Sequence, residues 1–439
     1  MMGKDWNQIS NIKIGQDKYI VEEAKDGNLT LKVQNGNQNF YLHSSYKPLA
    51  QGETFARQHY EEGIDFVVYG LGLGYHIQAL ANLLQEKQKL YIFELDMVVV
   101  KIALEQESLR QCLQNPQVIL LIDENLENVS KVLAEYLSKE NIKFILYEPS
   151  LKHIPYEPFK EILESYRIRK NSHEKFSPML EENHKANIVK GYGNIGKKLK
   201  NQCKDIPCIV VSAGPSLKQN VKALKEYEEK AIIIAVGRTA DFLLSNGVRP
   251  HFFIESDPQK FVYNHLKSVE EDVPLILLST ASQLLDQYPY DKYILYEEGS
   301  ATEEDKPYSI QVGGSVATMG VSLALLMGCD PIIFTGQDLC YTGGQTHVNG
   351  RGVQDITSFQ EFVRGISGEL YPTNKGLKTF LRWFEKTIQQ NPEIEFINCT
   401  AEGAYIQGAT HCTLEELGNQ LQKKPIIKII EKALICRYT

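Results

Sequence analysis

The sequence predicts an α/β protein with two Rossmann-like parallel-sheet domains and a helical C-terminal tail. Three observations carry this. Apolar strand-like runs alternate with helical periodicity from residue 65 onward. Glycine-centred turns follow several of those runs, at Gly70-Leu71-Gly72-Leu73-Gly74, Ala213-Gly214-Pro215-Ser216 and Thr335-Gly336-Gln337-Asp338. With 439 residues, 43% of them hydrophobic, the chain can build two or three separate cores.

Residues 1–60 read as a β-rich entry. Tyr19-Ile20-Val21, Leu29-Thr30-Leu31-Lys32-Val33 and Asn39-Phe40-Tyr41-Leu42 are short strands, divided by the hairpin signals Gly27-Asn28 and Asn35-Gly36. Residues 61–155 form the first Rossmann-like domain, with strands expected at 65–70, 90–94, 118–121 and 143–147 and a helix over 75–85. Residues 156–202 are polar and helix-compatible and read as a helical connector. Residues 203–410 form the second α/β domain. Its strands are expected at 208–211, 231–236, 251–254, 275–278, 293–296 and 331–334, with 394–398 last, and its helices include 218–227 and 316–327. Residues 411–439 alternate charged and apolar positions at helical spacing and read as an amphipathic helical tail.

Composition narrows the function classes. A net charge of −8 argues against a nucleic-acid partner, which calls for a basic face. No apolar run approaches the ~20 residues that span a bilayer, and Met1-Met2-Gly3-Lys4-Asp5-Trp6 lacks a signal-peptide pattern. The eight cysteines form neither CxxC nor a Cys/His ligand spacing. The expectation is a cytoplasmic protein with reduced thiols, no membrane association and no structural metal.

The motifs concentrate at predicted strand ends. Gly70-Leu71-Gly72-Leu73-Gly74, with Glu94 ending the next strand, has the layout of a nucleotide fingerprint; a ligand-free βα turn is the competing reading. Ser212-Ala213-Gly214-Pro215-Ser216-Leu217 ends a buried strand. Gly214 is expected to supply a special backbone conformation, Pro215 to start the helix and Ser216 to cap it. Gly313-Gly314-Ser315 opens an apolar helix. Both turns suit an anion at a helix N-terminus. Between them, Gly237-Arg238 ends one strand and Glu255-Ser256-Asp257-Pro258 another. Arg238 suits phosphate or carboxylate; Asp257 suits a ligand hydroxyl, a divalent metal or a simple cap. Gly336, Gln337 and Asp338 end the next strand. Tyr341 is expected to bond or stack on a base, and Asp338 and His347 are the catalytic candidates.

These residues, in this order, resemble the motility accessory factor (Maf) family of bacterial flagellin glycosyltransferases, whose shared domain is also called 6-hydroxymethylpterin diphosphokinase MptE-like. Asn398-Cys399-Thr400-Ala401-Glu402-Gly403-Ala404 continues the likeness, which covers about residues 185–410. The Gly214-Pro215-Ser216-Leu217 turn is more distantly similar to bacterial sialyltransferases. The resemblance implies transfer of a nonulosonic acid, of pseudaminic or legionaminic type, from its CMP-activated donor to Ser or Thr of flagellin in the cytoplasm. It places Gly214, Pro215, Ser216, Gly237, Gly314, Ser315, Gly336 and Asp338 at the donor, and the reading of the strand ends adds Ala213, Arg238, Asp257, Gly313, Gln337 and Tyr341. No cofactor is required; magnesium is permitted rather than demanded. Sialyltransferases have Asn where this chain has Ala213, and their general-base His has no counterpart near Thr373, so the base is unassigned. Two alternatives stand beside this reading: a pterin pyrophosphokinase using ATP and magnesium on Glu255 and Asp257, and a non-catalytic flagellin-binding accessory protein.

Overall fold

The computed structural model describes residues 18–35, 38–122, 132–133, 136, 141–154, 159, 163, 176–348, 350 and 361–435. The chain divides into two compact units, Met1–Ile168 and Arg169–Thr439.

The first unit holds two sheets. Strands β1 (Tyr19–Glu23), β2 (Leu29–Asn35) and β3 (Gln38–Tyr41) form an antiparallel meander. Strands β4 (Asp65–Tyr69), β5 (Leu90–Glu94), β6 (Val118–Ile122) and β7 (Ile142–Leu146) form a parallel sheet in the order β6-β5-β4-β7. Helix α1 (Pro48–His59) lies against α2 (Tyr75–Ala81), which ends earlier than its pattern predicts.

The glycine-rich turn after β4 spends its donors inside the protein. Leu71 N–H donates to Glu94 Oε2 at 3.0 Å, and Leu73 N–H donates to His43 Nε2 at 2.7 Å. A Cβ on Gly72 would lie 2.4 Å from that same Nε2. The His43 imidazole therefore fills the cradle that a phosphate would need. Burial holds it well below its ordinary pKa, hence neutral. The fingerprint spacing here serves folding.

The second unit is organised by a nine-stranded sheet. Its members are β8 (Gly193–Asn194), β9 (Cys208–Val211), β10 (Ile232–Val236), β11 (Phe252–Glu255), β12 (Leu275–Leu278), β13 (Lys292–Leu295), β14 (Ile332–Thr335), β17 (Phe396–Asn398) and β18 (Thr410–His411). The order is β18-β17-β14-β9-β10-β11-β12-β13-β8, and all pairs are parallel. Every residue of β9 to β12 and of β14 is buried, which explains their near-continuous apolar runs. The chain winds outward from β9 through β13, then returns to place β14 on β9's other side. The crevice between the carboxyl ends of β9 and β14 is thus the topological switch point, where open α/β sheets bind ligands.

Three features depart from the sequence reading. The expected connector does not stay outside the second unit: β8 is an edge strand of the large sheet, and helix α4 (Ile195–Leu199) contributes Ile195 and Leu199 to its core. Two-residue strands carry too little pattern to be read. Strand 394–398 is not last, because β18 pairs beyond it. A separate hairpin of β15 (Glu361–Arg364) and β16 (Leu370–Thr373) was also not foreseen. The tail is integral: helix α8 (Ile426–Ile435) buries Ile426, Ile430 and Ala433 in the same core.

A helix over residues 176–188, α3, runs along the loops that follow β11 and β12. Asn183 Nδ2 donates to Pro258 O at 2.9 Å, and its Oδ1 accepts from Gln283 N at 3.2 Å. One turn on, Asn187 Nδ2 donates to Ser279 O and Ala281 O at 3.0 and 2.8 Å. The i, i+4 spacing puts both amides on one face, where they pair loop carbonyls that burial would otherwise leave unsatisfied. Asn187→Ala should therefore destabilise the protein by about 1–3 kcal/mol in urea unfolding. Asn187→Asp, which sets a carboxylate against two carbonyls, should cost more. Equal midpoints for the two variants and the wild type would contradict this role.

Candidate functional site

A cavity of about 510 Å³ opens over the switch point. Its size is that of a small-ligand pocket. Of the predicted residues, Ala213, Gly214, Arg238, Asp257, Gly314, Ser315, Gly336, Gln337, Asp338 and His347 line it; Pro215, Ser216, Gly237, Gly313 and Tyr341 do not.

The turns after β9 and β14 are bound to each other. Gly214 N–H donates to Gly336 O at 2.8 Å and Ser212 N–H to Thr335 O at 2.9 Å. Ser212 Oγ reaches Gln337 Oε1 at 2.5 Å. Asp338 makes the central contacts: Oδ1 accepts from Ser216 Oγ at 2.5 Å, and Oδ2 accepts from Ser216 N at 3.0 Å and Thr342 Oγ1 at 3.0 Å. Ser216 begins helix α5 (Leu217–Leu224). The Asp338 carboxylate thus sits at the N-terminus of α5, where the helix dipole favours negative charge.

This overturns two expectations for the first turn. Ser216 does not cap its helix with its side chain; it hands both its hydroxyl and its amide to Asp338. The next donors, Leu217 and Lys218 N–H, go to Gly214 O and Pro215 O at 3.1 and 3.3 Å. Little of this terminus remains for a phosphate. Gly214 is required not for an unusual backbone angle but for closeness, since a Cβ there would lie 2.2 Å from Asp338 Oδ1. Gly336 is the residue that needs special backbone, at φ +64.

Asp338 accepts three hydrogen bonds and is only 2% exposed. Burial pushes its pKa up to about 6, against the opposing effect of the Ser216 and Thr342 hydrogen bonds. Its neighbour Leu339 has φ +56, strained for a non-glycine residue. Thr373 Oγ1 donating to Leu339 O and Ala404 N–H donating to Asp338 O, at 3.0 and 2.7 Å, hold that geometry. Asp338 is built as a clamp.

The second turn is arranged differently. Ser315 caps helix α6 (Val316–Met327) through a reciprocal capping box with Thr318. Thr318 Oγ1 also accepts from Gly313 N at 2.9 Å. The first two helical amides, Val316 and Ala317, lie beyond reach of any intrahelical acceptor, and both residues line the cavity with Gly314. Arg238 lines the same space; no carboxylate pairs with it among the described residues. The α6 N-terminus and Arg238 are therefore the positively polarised groups among the described cavity residues, of the kind that suits an anion.

The other predicted residues act as supports. A Cβ on Gly237 would lie 2.9 Å from Glu255 Oε2, and one on Gly313 would lie 2.4 Å from Trp383 Cγ. Both let a bulky partner approach. Tyr341 does not face a base site: it is 8% exposed, and its hydroxyl accepts from Asn374 Nδ2 at 2.9 Å. Asn374 in turn caps helix α7 (Lys375–Gln390). Asp257 Oδ1 accepts from Gln259 N at 2.9 Å within the turn after β11, and it does not cap the Lys260–His265 turn, whose N-cap is Gln259. His347 contacts Thr346 Oγ1 at 2.8 Å, and burial, with Arg238 and His265 nearby, lowers its pKa to about 4. No three His, Cys, Asp or Glu side chains converge as a metal site among the described residues.

Sequence reasoning missed the apolar wall, formed by Phe176 and Leu180 on α3, Val262, and Leu377 and Phe380 on α7. The i, i+4 spacing of Phe176 and Leu180 was the available signal. It also missed His265, which stands beside Glu255.

Residues 182–344 match the family model described as 6-hydroxymethylpterin diphosphokinase MptE-like. That stretch contains both glycine turns, Arg238, Glu255 and Asp338. Among solved structures, the chain is similar to a MAf glycosyltransferase from Magnetospirillum magneticum AMB-1, at 16% identity and a TM-score of 0.49, over 97% of this chain and 75% of that one. No curated protein matches the chain significantly. No described helix is long and apolar enough to cross a membrane.

The pKa of Asp338 fixes the sign of a pH effect. A carboxyl that titrates near 6 when folded but near 4 when unfolded keeps its proton longer in the native state. Its contribution is therefore fully present at the acid end and is lost as pH rises from about 4 to about 6. Asp338→Asn should destabilise the protein, with a penalty largest near pH 4 and smaller by up to about 2–3 kcal/mol near pH 7. Urea unfolding of both proteins across that range measures it; a penalty that grows with pH would contradict the assignment.

Proposed function

We propose that the second unit is a glycosyltransferase that takes a nonulosonic acid, of pseudaminic or legionaminic type, from its CMP-activated form. The acceptors are Ser or Thr hydroxyls of flagellin, modified in the cytoplasm. The observation that carries the reading is the convergence on one cavity at the sheet's switch point of the α6 N-terminus and Arg238, which no carboxylate pairs among the described residues. A CMP-linked donor brings two anionic groups, one phosphate and one sugar carboxylate, and the site offers two matching receptors. The apolar wall suits the faces of a base and a sugar ring. The ordered motif series from Ser212 to Glu402 supports the same family of reactions. Departure of CMP places charge on its phosphate, and fixed amides and a guanidinium stabilise such charge without reorganising. Magnesium is not demanded by a single phosphate.

The name of the matched family model favours a second reading, pyrophosphate transfer from ATP to a hydroxymethylpterin. It would use magnesium on the free oxygens of Glu255 and Asp257.

Calorimetry separates the two. CMP should bind without metal, and Arg238→Ala should weaken it by about 10- to 100-fold, the loss of one charge-assisted contact. Incubation with a CMP-nonulosonate and flagellin should add the sugar's mass to flagellin by intact-mass spectrometry. Binding of magnesium–ATP with none of CMP would favour the second reading. Binding of flagellin with no nucleotide would mark a non-catalytic accessory protein.

A further inference from the structure

We propose that His265, oriented by the buried carboxylate of Glu255, is the proton acceptor of this cavity. The inference rests on the glycosyl-transfer reading and supplies the base which that reading lacks.

Glu255 ends β11 at 2% exposure. Its Oε1 accepts from Ser256 N and Asp257 N at 3.0 and 3.2 Å. Its Oε2 lies 3.8 Å from His265 Nδ1. That Nδ1 is buried and has no hydrogen-bond partner among the described residues. A buried ring nitrogen that lacks a bond and faces a buried carboxylate is a costly arrangement. It is resolved when Nδ1 carries the proton and points it at Oε2, a contact that a small ring rotation shortens. Catalytic hydrogen bonds are often long in ligand-free structures. With Nδ1 protonated, Nε2 is the basic atom.

Placement supports this use. His265 ends the short 3-10 turn Lys260–His265 and lines the cavity with Glu255, Arg238 and His347. Its side chain is 20% exposed, enough to meet an incoming hydroxyl. Phe261 closes one side of the ring edge-on, with centroids 5.8 Å apart. Of the two candidates read from the sequence, Asp338 already accepts three hydrogen bonds from Ser216 and Thr342, and His347 is held near 4 beside Arg238.

The step balances. The acceptor O–H gives its proton to His265 Nε2, and its oxygen forms a bond to the anomeric carbon. The bond from that carbon to the phosphate oxygen breaks, and its electron pair leaves on CMP. The resulting imidazolium is stabilised by Glu255, and the CMP phosphate by the α6 amides and Arg238.

His265→Gln and His265→Ala test it in the full chain. Both should bind CMP within about threefold of wild type while transfer falls by about 100-fold or more. Added imidazole should restore part of the His265→Ala rate but none of the His265→Gln rate, and the acidic limb of the kcat/KM profile should vanish in both. Glu255→Gln should keep CMP binding and lose part of the transfer rate. Transfer at the wild-type rate in either His265 variant overturns the inference alone. So does a loss of CMP binding that matches the loss of rate. If the wild type neither binds CMP nor transfers, the glycosyl-transfer reading falls and this inference with it. Thermal unfolding of each variant shows that it is folded; if one is not, the other decides.

Discussion

The site depends on one interaction, the capture of the α5 N-terminus by the Asp338 carboxylate. Strands β9 and β14 lie side by side in the sheet but far apart in sequence, and each ends in a glycine turn. Ser216, from the first turn, gives its amide and hydroxyl to Asp338, from the second. Gly214 and Gly336 make this possible by allowing the two backbones to approach, and Gly214 N–H bonds Gly336 O directly. Without this clamp, a carboxylate and a helix terminus would each be buried without partners at the switch point, at a cost of several kcal/mol.

The clamp also divides the work between the two turns. A helix N-terminus can receive one anion, and α5 has received the protein's own. Helix α6 has not. Its capping box settles the Ser315 and Thr318 amides, and Val316 and Ala317, whose amides have no intrahelical acceptor, line the cavity with Arg238. The first turn shapes the floor and the second receives charge. Glu255 and His265 occupy the neighbouring strand end, where proton transfer would be needed.

Much of this was legible in the sequence, and the exceptions have physical causes. Strands β9 to β12 and β14 read clearly because burial on both faces made them continuously apolar. The two turns and Arg238 read clearly because parallel strands deliver their following residues to one edge. What could not be read were contacts between distant positions. The hydrogen bonds of Asp338 could not be read because their donor, Ser216, is 122 residues away. Tyr341 looked like a base-stacking residue, whereas it supports the Asn374 cap of α7. His265 lies in a short 3-10 turn with no periodic signature, and its meaning comes only from Glu255 beside it. In the first unit, the ligand-free reading of the fingerprint turn was open to the sequence, but His43, which fills the turn from the loop after β3, was not.

The most direct measurement is a crystal structure of the full chain soaked with CMP. The account predicts the phosphate on the Val316 and Ala317 amides and the Arg238 guanidinium, with Asp338 still bonded to Ser216. A phosphate seated on the Ser216 amide, with Asp338 displaced from α5, would contradict it.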